Sequence, residues 1–97
     1  MIARISHLLI NARMLRRTGE IAECFVFDWK IIAPKNWEDD NSRVREALKR
    51  EIPRDDWEWN DEEKRWYVKV EHREAMAAIF ERFDDDVAGL EKSLTLF

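Results

Sequence analysis

The amino-acid sequence predicts a small α+β domain, in which a short antiparallel sheet with a tryptophan-rich hairpin packs against helices. Three observations predict this class. Apolar residues recur at helical spacing near both ends of the chain, and aromatic residues alternate with polar ones in the middle. In addition, 97 residues, 45% of them hydrophobic, suffice for one modest core. The expected element order is α-β-α-β-β-α, with amphipathic helices at both ends.

Residues 1–19 predict a basic amphipathic helix. Its apolar stripe consists of residues at alternating steps of three and four, namely Ile5, Leu8, Ala12 and Leu15. The segment has no acid and four arginines, which are Arg4, Arg13, Arg16 and Arg17. Gly19 follows them and suits the end of a helix, because glycine adopts positive φ without a steric penalty.

The formal net charge of −4 divides unevenly along the chain. Residues 1–19 carry +4, whereas the remaining residues contain 13 Lys or Arg against 21 Asp or Glu, a net of −8. A uniformly basic nucleic-acid-binding protein would not have this distribution. We expect the basic segment to meet the acidic body, either within one chain or between chains.

The middle of the chain predicts a strand followed by a helix. Residues 21–33 are rich in β-formers, and an aromatic face is formed by Phe25, Phe27 and Trp29. A second helix follows the polar connection 36–42 and places Val44 and Leu48 on one face. It ends at Ile52, because the residue before a proline avoids the α conformation.

Residues 56–70 predict a β-hairpin with a turn at 60–64. This arrangement places Trp59 opposite Trp66 and Trp57 opposite Val68, as cross-strand neighbours on one face. We therefore expect a core formed by Phe25, Phe27, Trp57, Trp59, Trp66 and Val68. The alternative is that the tryptophans form a stacking platform for nucleic-acid bases. Trp37 is the tryptophan expected to be exposed.

The last segment predicts a helix that begins near Glu71. Its seam has alternating steps of four and three, formed by Met76, Phe80, Phe83, Val87, Leu90, Leu94 and Phe97. A break near 84–86 is the alternative. The whole chain is thus expected to be one domain, residues 1–97. It comprises the basic helix 1–19, an α+β core over 21–83 and a continuation of the C-terminal helix over 84–97.

The hairpin carries a resemblance to a known family. Ile52-Pro53 is followed by Trp-Asn-Asp-Glu-Glu-Lys-Arg-Trp-Tyr-Val over residues 59–68. This resembles the pattern Ile-Pro-Gly-x-x-Trp-Asp-Pro-Glu-x-Lys-x-Trp-x-Val of small HARP-like (HepA-related) modules. Such modules occur beside helicase-type ATPases and in short bacterial and phage proteins. The matching positions are Trp59, Glu62, Lys64 and Trp66, and the resemblance covers residues 21–83.

Two departures from the HARP-like pattern bear on function. The stretch after Ile52-Pro53 is two residues longer, and it contains Asp55, Asp56 and Glu58 where the family has glycine and basic residues. Asn60 and Asp61 replace the aspartate and proline of the pattern. The resemblance implies the order strand, helix, hairpin and helix, but these acids weaken the expectation of nucleic-acid contact at this stretch.

Patterns for catalysis, metal binding or cofactor binding are not apparent in the sequence. His7 and His72 lack zinc-ligand spacing, and Cys24 has no sequence context that would activate it as a nucleophile. We therefore expect no enzyme activity, no cofactor and no metal. The longest apolar run is far shorter than a membrane span. A single cysteine requires no oxidising compartment, so we expect a cytoplasmic protein.

The first functional hypothesis is a non-enzymatic interaction module that forms a homodimer through its terminal helices. The interface would consist of Ile5, Leu8, Ala12, Leu15, Phe83, Val87, Leu90, Leu94 and Phe97. The alternative is a nucleic-acid accessory domain beside replication or repair machinery, which would bind through Arg4, Arg13, Arg16, Arg17, Lys64, Arg65 and Lys69. A third possibility is an acidic mimic of nucleic acid. A further protein partner is compatible with the first hypothesis, and no membrane partner is expected.

Overall fold

A four-stranded antiparallel sheet, covered by helices on one face, forms the body of the molecule. The computed structural model describes residues 2–33 and 36–94. The strands are β1 (Ile2–Met14), β2 (Ile21–Ile32), β3 (Trp57–Asn60) and β4 (Arg65–Lys69), in the spatial order β1-β2-β4-β3. The helices are α1 (Trp37–Glu51), α2 (Arg73–Ile79) and α3 (Phe83–Leu94), with short 3₁₀ turns at Arg54–Asp56 and Val70–His72. The predicted α+β class is confirmed.

The first segment is a strand, so the prediction of an N-terminal helix is wrong. β1 pairs with β2 from Ile2–Ile32 to Met14–Ile21, with a register shift between Ser6 and Leu9. His7, inside the shift, has a φ of 52°. This bulge adds one residue to β1 and reverses its alternation, so Ile5 and Leu8 both contact the helix-side core. A spacing of three on one face therefore imitates a helical period.

The turn between β1 and β2 uses Gly19 differently from the prediction. Gly19 has a φ of 70°, and its backbone N–H donates to the carbonyl of Leu15 at 2.7 Å. The N–H of Leu15 donates in turn to the carbonyl of Glu20 at 2.8 Å. The positive φ therefore closes a β-hairpin and does not end a helix.

The tryptophan hairpin forms with the predicted register. Trp57 lies opposite Val68, and Trp59 lies opposite Trp66. The side chain of Asn60 stabilises the turn, because its Oδ1 accepts a hydrogen bond of 2.8 Å from the N–H of Glu63. β4 then pairs with β2 from Lys69–Cys24 to Trp66–Phe27, which joins the hairpin to the sheet.

The core lies between the sheet and the three helices. Phe25 contacts Phe83 edge to face at a centroid distance of 5.0 Å, and Phe27 contacts Phe80 at 5.6 Å. The predicted core residues other than Trp59 are buried, and they are Phe25, Phe27, Trp57, Trp66 and Val68. A smaller cluster covers the opposite face, formed by Leu15, Cys24, Val26 and Tyr67.

The C-terminal helix is interrupted, so the prediction of one continuous seam is wrong. α2 ends at Ile79, Phe80 is extended, and Arg82 has a φ of 58°. The N–H of Glu81 donates to the carbonyl of Ala3 at 2.9 Å, which attaches this segment to the edge of β1. The break thus falls before the 84–86 segment that the sequence suggested. The acids at 84–86 occupy the first turn of α3, where the helix dipole favours negative charge.

The homodimer stays a prediction, but the residues of its predicted interface do not lie on two terminal helices, because the first segment is a strand. Ile5, Leu15, Phe83 and Val87 are buried within their own domain, because the strand and α3 place them there. Leu8 and Leu90 are half-buried, and Ala12 is exposed. Phe97 and the side chain of Leu94 lie outside the described residues. Within the described ranges, no helix has the length and apolar character needed to cross a membrane.

Candidate functional site

A groove of about 570 Å³ lies between α1 and the β3–β4 hairpin. Its wall contains four of the five tryptophans of the chain together with cationic and amide side chains. The lining residues are Asp28, Trp29, Asn41, Arg45, Lys49, Trp57, Trp59, Lys64 and Trp66. We refer to this feature as the tryptophan groove. Its volume falls within the range of small-ligand sites in proteins.

Trp66 is the centre of the aromatic wall. Its ring centroid lies 5.3 Å from that of Trp29, 5.5 Å from that of Trp57 and 5.3 Å from that of Trp59. Strand alternation explains the cluster, because β2, β3 and β4 direct these side chains to the same face. The Nε1 of Trp29 donates to Oδ1 of Asn41 at 2.8 Å, which fixes this ring against α1.

Trp59 departs from the core role that the sequence predicted. It is 40% exposed, whereas Trp57 is 9% and Trp66 is 7% exposed. The reason is its position near the turn end of β3, which is the outermost strand of the sheet. Trp37, at the first turn of α1, is 55% exposed, as predicted for this residue.

The rim of the tryptophan groove is cationic. Arg45 and Lys49 are one helical turn apart on α1 and therefore project on the same side. Among the described residues, no carboxylate oxygen lies within 4.0 Å of the side-chain nitrogens of either residue. Lys64 completes the rim from the hairpin turn, where its Nζ contacts Oδ1 of Asp61 at 2.9 Å. Arg45 and Lys49 are not among the site residues predicted from the sequence, although they are four residues apart on a predicted helix.

Most cations of the predicted nucleic-acid set are neutralised by acids of the same chain. Arg4 lies 3.9 Å from Asp86, Arg13 lies 3.4 Å from Glu63 and Arg17 lies 2.7 Å from Asp55. The backbone N–H of Arg16 donates to Glu58 at 2.8 Å. The expected meeting of basic segment and acidic body therefore occurs within the chain.

The remaining members of the set divide between the groove and structural roles. Lys69 contacts Glu20 at 2.7 Å and Asp56 at 3.1 Å. Arg65 donates to the backbone carbonyl of His7 at 2.9 Å, which ties the hairpin to the β1 bulge. Of the predicted set, Lys64 lines the tryptophan groove.

A second cluster of titratable groups surrounds Asp56. Potential ligand atoms of Asp56, Glu71 and His72 lie within 4.8 Å of one another. Nε2 of His72 is 2.7 Å from Asp56, and Lys69 contacts the same carboxylate. The hydrogen bonds from His72 and then from Lys69 lower the pKa of Asp56. The ammonium group of Lys69 would repel a divalent cation at Asp56. This cluster is therefore better described as an ion-pair network than as a metal centre.

Cys24 lies in the small cluster on the opposite face of the sheet. It is fully buried, and this burial raises the pKa of its thiol to about 11. A thiol with this pKa is almost entirely protonated at neutral pH and is a weak nucleophile. The environment of Cys24 therefore suits packing and not covalent chemistry.

A hydrogen-bond network on that face holds the tryptophan hairpin in place. The hydroxyl of Tyr67 donates to Glu63, and Nδ2 of Asn60 donates to the same hydroxyl at 3.1 Å. The guanidinium carbon of Arg13 lies 5.1 Å from the centroid of the Tyr67 ring. The turn and the strand that carry Lys64 and Trp59 are thus stabilised by contacts on the sheet face opposite to the tryptophan groove.

Comparison with known proteins adds no relative on which a function could be based. The resemblance to HARP-like modules therefore stays a prediction that rests on residues 52–68. No protein-family model, no curated protein and no solved structure matches the chain.

Proposed function

We propose that this protein is a non-enzymatic binding module that holds single-stranded nucleic acid in the tryptophan groove. The observation that carries the proposal is the combination of an exposed tryptophan face with cations that have no carboxylate partner in the described part of the chain. Trp59 offers a flat aromatic surface, and Arg45 and Lys49 stand beside it on α1. Proteins that bind single strands without strong sequence preference combine these two features.

Stacking would supply the sequence-independent part of the affinity. Each base stacked on an aromatic side chain contributes about 1–3 kcal/mol in such proteins. Trp59 is exposed and its ring contacts that of Trp66, which in turn contacts the rings of Trp29 and Trp57. A platform whose rings are already packed loses little side-chain entropy on binding.

Electrostatics would restrict binding to this part of the surface. Most other cations of the described chain form ion pairs with carboxylates, whereas Arg45 and Lys49, beside the aromatic wall, have no carboxylate oxygen within 4.0 Å among the described residues. An acidic body repels phosphates elsewhere on the surface. The resemblance to HARP-like modules, which accompany helicase-type ATPases, agrees with this proposal. Three of the resembling positions, Trp59, Lys64 and Trp66, line the groove.

A titration of tryptophan fluorescence with a single-stranded oligonucleotide of mixed sequence tests the proposal. We expect quenching at low salt and a binding constant that falls steeply as the salt concentration rises, because phosphates release counterions on binding. Trp59→Ala should weaken binding by about tenfold, since one stacked base is lost. Trp37→Ala is the matched control, because Trp37 is exposed outside the groove. The absence of binding at low salt, or equal effects of both variants, would refute the proposal.

Self-association is a second proposal, favoured by exposed apolar residues on the β1–β2 hairpin. Met14 and Ile21 are cross-strand partners, and both are largely exposed, as is part of Leu9. β1 is an edge strand. Between the bulge and Met14 it carries one charged residue, Arg13, which is paired with Glu63. A second copy could therefore pair along this edge without like-charge repulsion.

Light scattering on the intact chain tests self-association. We expect a dimer at micromolar concentration that becomes a monomer in Leu9→Lys, because a charged side chain on an edge strand opposes pairing. Glu23→Lys provides a control on the neighbouring strand. A monomeric wild-type protein would refute this proposal and leave the nucleic-acid proposal unaffected.

A further inference from the structure

The outer edge of β1 is closed by its own chain before the bulge and free after it. Before the bulge, the N–H of Glu81 donates to the carbonyl of Ala3 at 2.9 Å, and Arg4 and Glu81 form a parallel bridge. After the bulge, within the described part of the chain, residues 8–14 make no backbone hydrogen bond apart from the ladder with β2. We refer to residues 8–14 of β1 as the open edge.

Alternate residues of the open edge direct their backbone groups outward. The N–H of Leu15 donates to the carbonyl of Glu20 at 2.8 Å, in continuation of the register between β1 and β2. Because hydrogen-bonded and non-hydrogen-bonded pairs alternate along an antiparallel ladder, the odd-numbered residues of the open edge bond to β2. The even-numbered residues therefore point their N–H and C=O groups away from the sheet, and these are Leu8, Ile10, Ala12 and Met14. Such an edge is a template for one more strand.

We propose that a second copy of this chain pairs antiparallel with the open edge, on a two-fold axis that passes through Asn11. A closed dimer in which both copies use the same edge requires antiparallel strands. Directly opposite residues of such strands project on the same face of the sheet, so an even-numbered residue must face an even-numbered one. The axis therefore passes through a residue and not between two residues. The inference rests on the self-association proposed above and adds where the two copies meet.

An axis at Asn11 allows the open edge to complete its own hydrogen bonds. Leu8 then faces Met14 of the second copy, and Ile10 faces Ala12, so each outward N–H and C=O has a partner. An axis through Ile10 would carry one end of the pairing past the bulge. An axis through Ala12 would carry it into the turn between β1 and β2. Asn11 is the midpoint of the open edge, and it is the position that uses all of it.

The side chains that meet in this register are compatible. On the helix side of the sheet, all the facing residues are apolar. On the opposite face, Leu9 meets the methylene groups of Arg13, and the two Asn11 amides meet each other, where each can donate and accept. The guanidinium of Arg13 lies 3.4 Å from Glu63 of its own chain. Like charges therefore do not oppose each other across the open edge.

Self-association at the open edge would leave the tryptophan groove accessible. β1 and β3 are opposite edges of the sheet, and the described lining of the groove includes no residue of the open edge. A two-fold axis between antiparallel strands stands perpendicular to the sheet. Two four-stranded sheets would thus form one of eight strands, with both helix layers and both grooves on the same side.

Disulfide cross-linking tests the position of the axis. Asn11→Cys is made together with Cys24→Ala, because Asn11 and Cys24 are cross-strand partners within one chain. On the proposed axis, the two copies of residue 11 form a non-hydrogen-bonded pair with about 4.5 Å between their Cα atoms, a separation that suits a disulfide. Oxidation with copper phenanthroline at micromolar concentration should convert most of the protein into a covalent dimer.

Ala12→Cys, also with Cys24→Ala, is the matched control. Ala12 and Asn11 are both exposed neighbours on the same strand. With the axis at Asn11, the two copies of residue 12 are diagonal neighbours about 7–8 Å apart, which is too far for a disulfide without movement of the backbone. We therefore expect little cross-linking of this variant under the same conditions.

Amide hydrogen exchange provides a measurement on the unaltered chain. The outward N–H groups of residues 8, 10, 12 and 14 should exchange about tenfold more slowly when the protein concentration rises about a hundredfold, because pairing protects them. The N–H groups of residues 9, 11 and 13 already bond to β2 and should be protected at both concentrations. They serve as the internal control.

The outcomes separate the axis from self-association itself. Cross-linking of Asn11→Cys but not of Ala12→Cys, with concentration-dependent protection of the outward amides, would support the axis. If light scattering shows a dimer that cross-links through Ala12→Cys or through neither variant, self-association stands and the axis is wrong. The axis is also wrong if the outward amides of such a dimer stay unprotected. If the chain is monomeric, the axis and self-association both fall, and the nucleic-acid proposal is unaffected.

Discussion

Trp59 and Trp66 face each other across β3 and β4 with 5.3 Å between their ring centroids, yet their environments differ sharply. Trp66 is 7% exposed and contacts three other tryptophans, whereas Trp59 is 40% exposed at the rim of the groove. One cross-strand pair thus combines a residue of the core with a residue of the surface. The stability and the binding properties of the domain should be separable at this pair.

Replacement of the two tryptophans should therefore have unequal effects on stability. We expect Trp66→Ala to lower the free energy of unfolding by about 3–5 kcal/mol, because a large buried side chain leaves a cavity. Trp59→Ala should cost about 1–2 kcal/mol, since much of its surface already contacts water. Urea denaturation monitored by circular dichroism measures both values. Equal losses would show that Trp59 is part of the core.

The two glycines should respond to alanine with opposite signs. Gly19 has a positive φ, so Gly19→Ala should destabilise the protein by about 1 kcal/mol, although space for the added carbon is open. Gly89 lies within α3 and also has open space, so Gly89→Ala should stabilise by about 1 kcal/mol. Thermal unfolding of both variants checks the prediction. A loss of stability in Gly89→Ala would contradict the helical description of this segment.

The turn of the tryptophan hairpin should depend on Asn60. Asn60→Ala removes an acceptor for the N–H of Glu63 and a donor to the hydroxyl of Tyr67. We expect a loss of about 1–2 kcal/mol, because both bonds lie in a buried or half-buried region. Asn60→Asp keeps the acceptor for the N–H of Glu63, so it should lose less unfolding free energy than Asn60→Ala. Denaturant midpoints of the two variants measure this order, and the reverse order would show that the donor dominates.

The stability of the protein should fall at acid pH because of Asp56. Its pKa is lowered in the folded state by hydrogen bonds from His72 and Lys69. A lowered folded pKa stabilises the protein above the ordinary carboxyl pKa of about 4, and this contribution disappears as the pH falls through the folded value. We therefore expect Asp56→Asn to lose less stability than wild type between pH 6 and pH 3.

A comparison with Asp61 controls the acid prediction. The pKa of Asp61 is also lowered, chiefly by its hydrogen bond from Lys64, but this pair is solvent-exposed. Solvent screening makes such pairs weak, so Asp61→Asn should follow the wild-type profile. Unfolding free energies from urea titrations at several pH values provide the measurement. Identical profiles for Asp56→Asn and wild type would contradict the role of Asp56.

The hairpin and its register could be predicted because they depend on local signals. Alternation of aromatic residues and the turn chemistry of Asn60 act within a dozen residues of one another. The same is true of β2 and of the end of α1 before Ile52-Pro53. The start of α1 was predicted wrongly, because the helix begins at Trp37 and includes most of the stretch 36–42, which the sequence predicted to be a polar connection.

The ends of the chain could not be predicted, because long-range contacts determine them. β1 owes its conformation to pairing with β2, and the bulge at His7 gave the apolar residues a false helical spacing. The break at Arg82 follows from the bond between Glu81 and Ala3, which are distant in sequence. The apolar residues are buried on both sides of the break, so their periodicity alone does not reveal that the helix is interrupted.

The candidate site was predicted in part. The sequence predicts the tryptophan cluster and names Lys64 as a candidate contact, with base stacking as the alternative to core packing. Arg45 and Lys49 were not predicted, because their importance lies in having no carboxylate within 4.0 Å among the described residues. That property depends on how nearby acids are engaged in three dimensions, as Glu51 is by Arg50.

The bulge at His7 makes the length of β1 matter more than its composition. Before it, odd-numbered residues such as Ile5 contact the helices, and after it even-numbered residues such as Leu8 and Ile10 do so. A strand of the same length without the bulge would turn Leu8 outward and Leu9 inward, whereas deletion of His7 would leave Leu8 inward, two positions after Ile5. Redesign of this strand can therefore exchange many side chains, provided that it keeps the bulge or removes its extra residue.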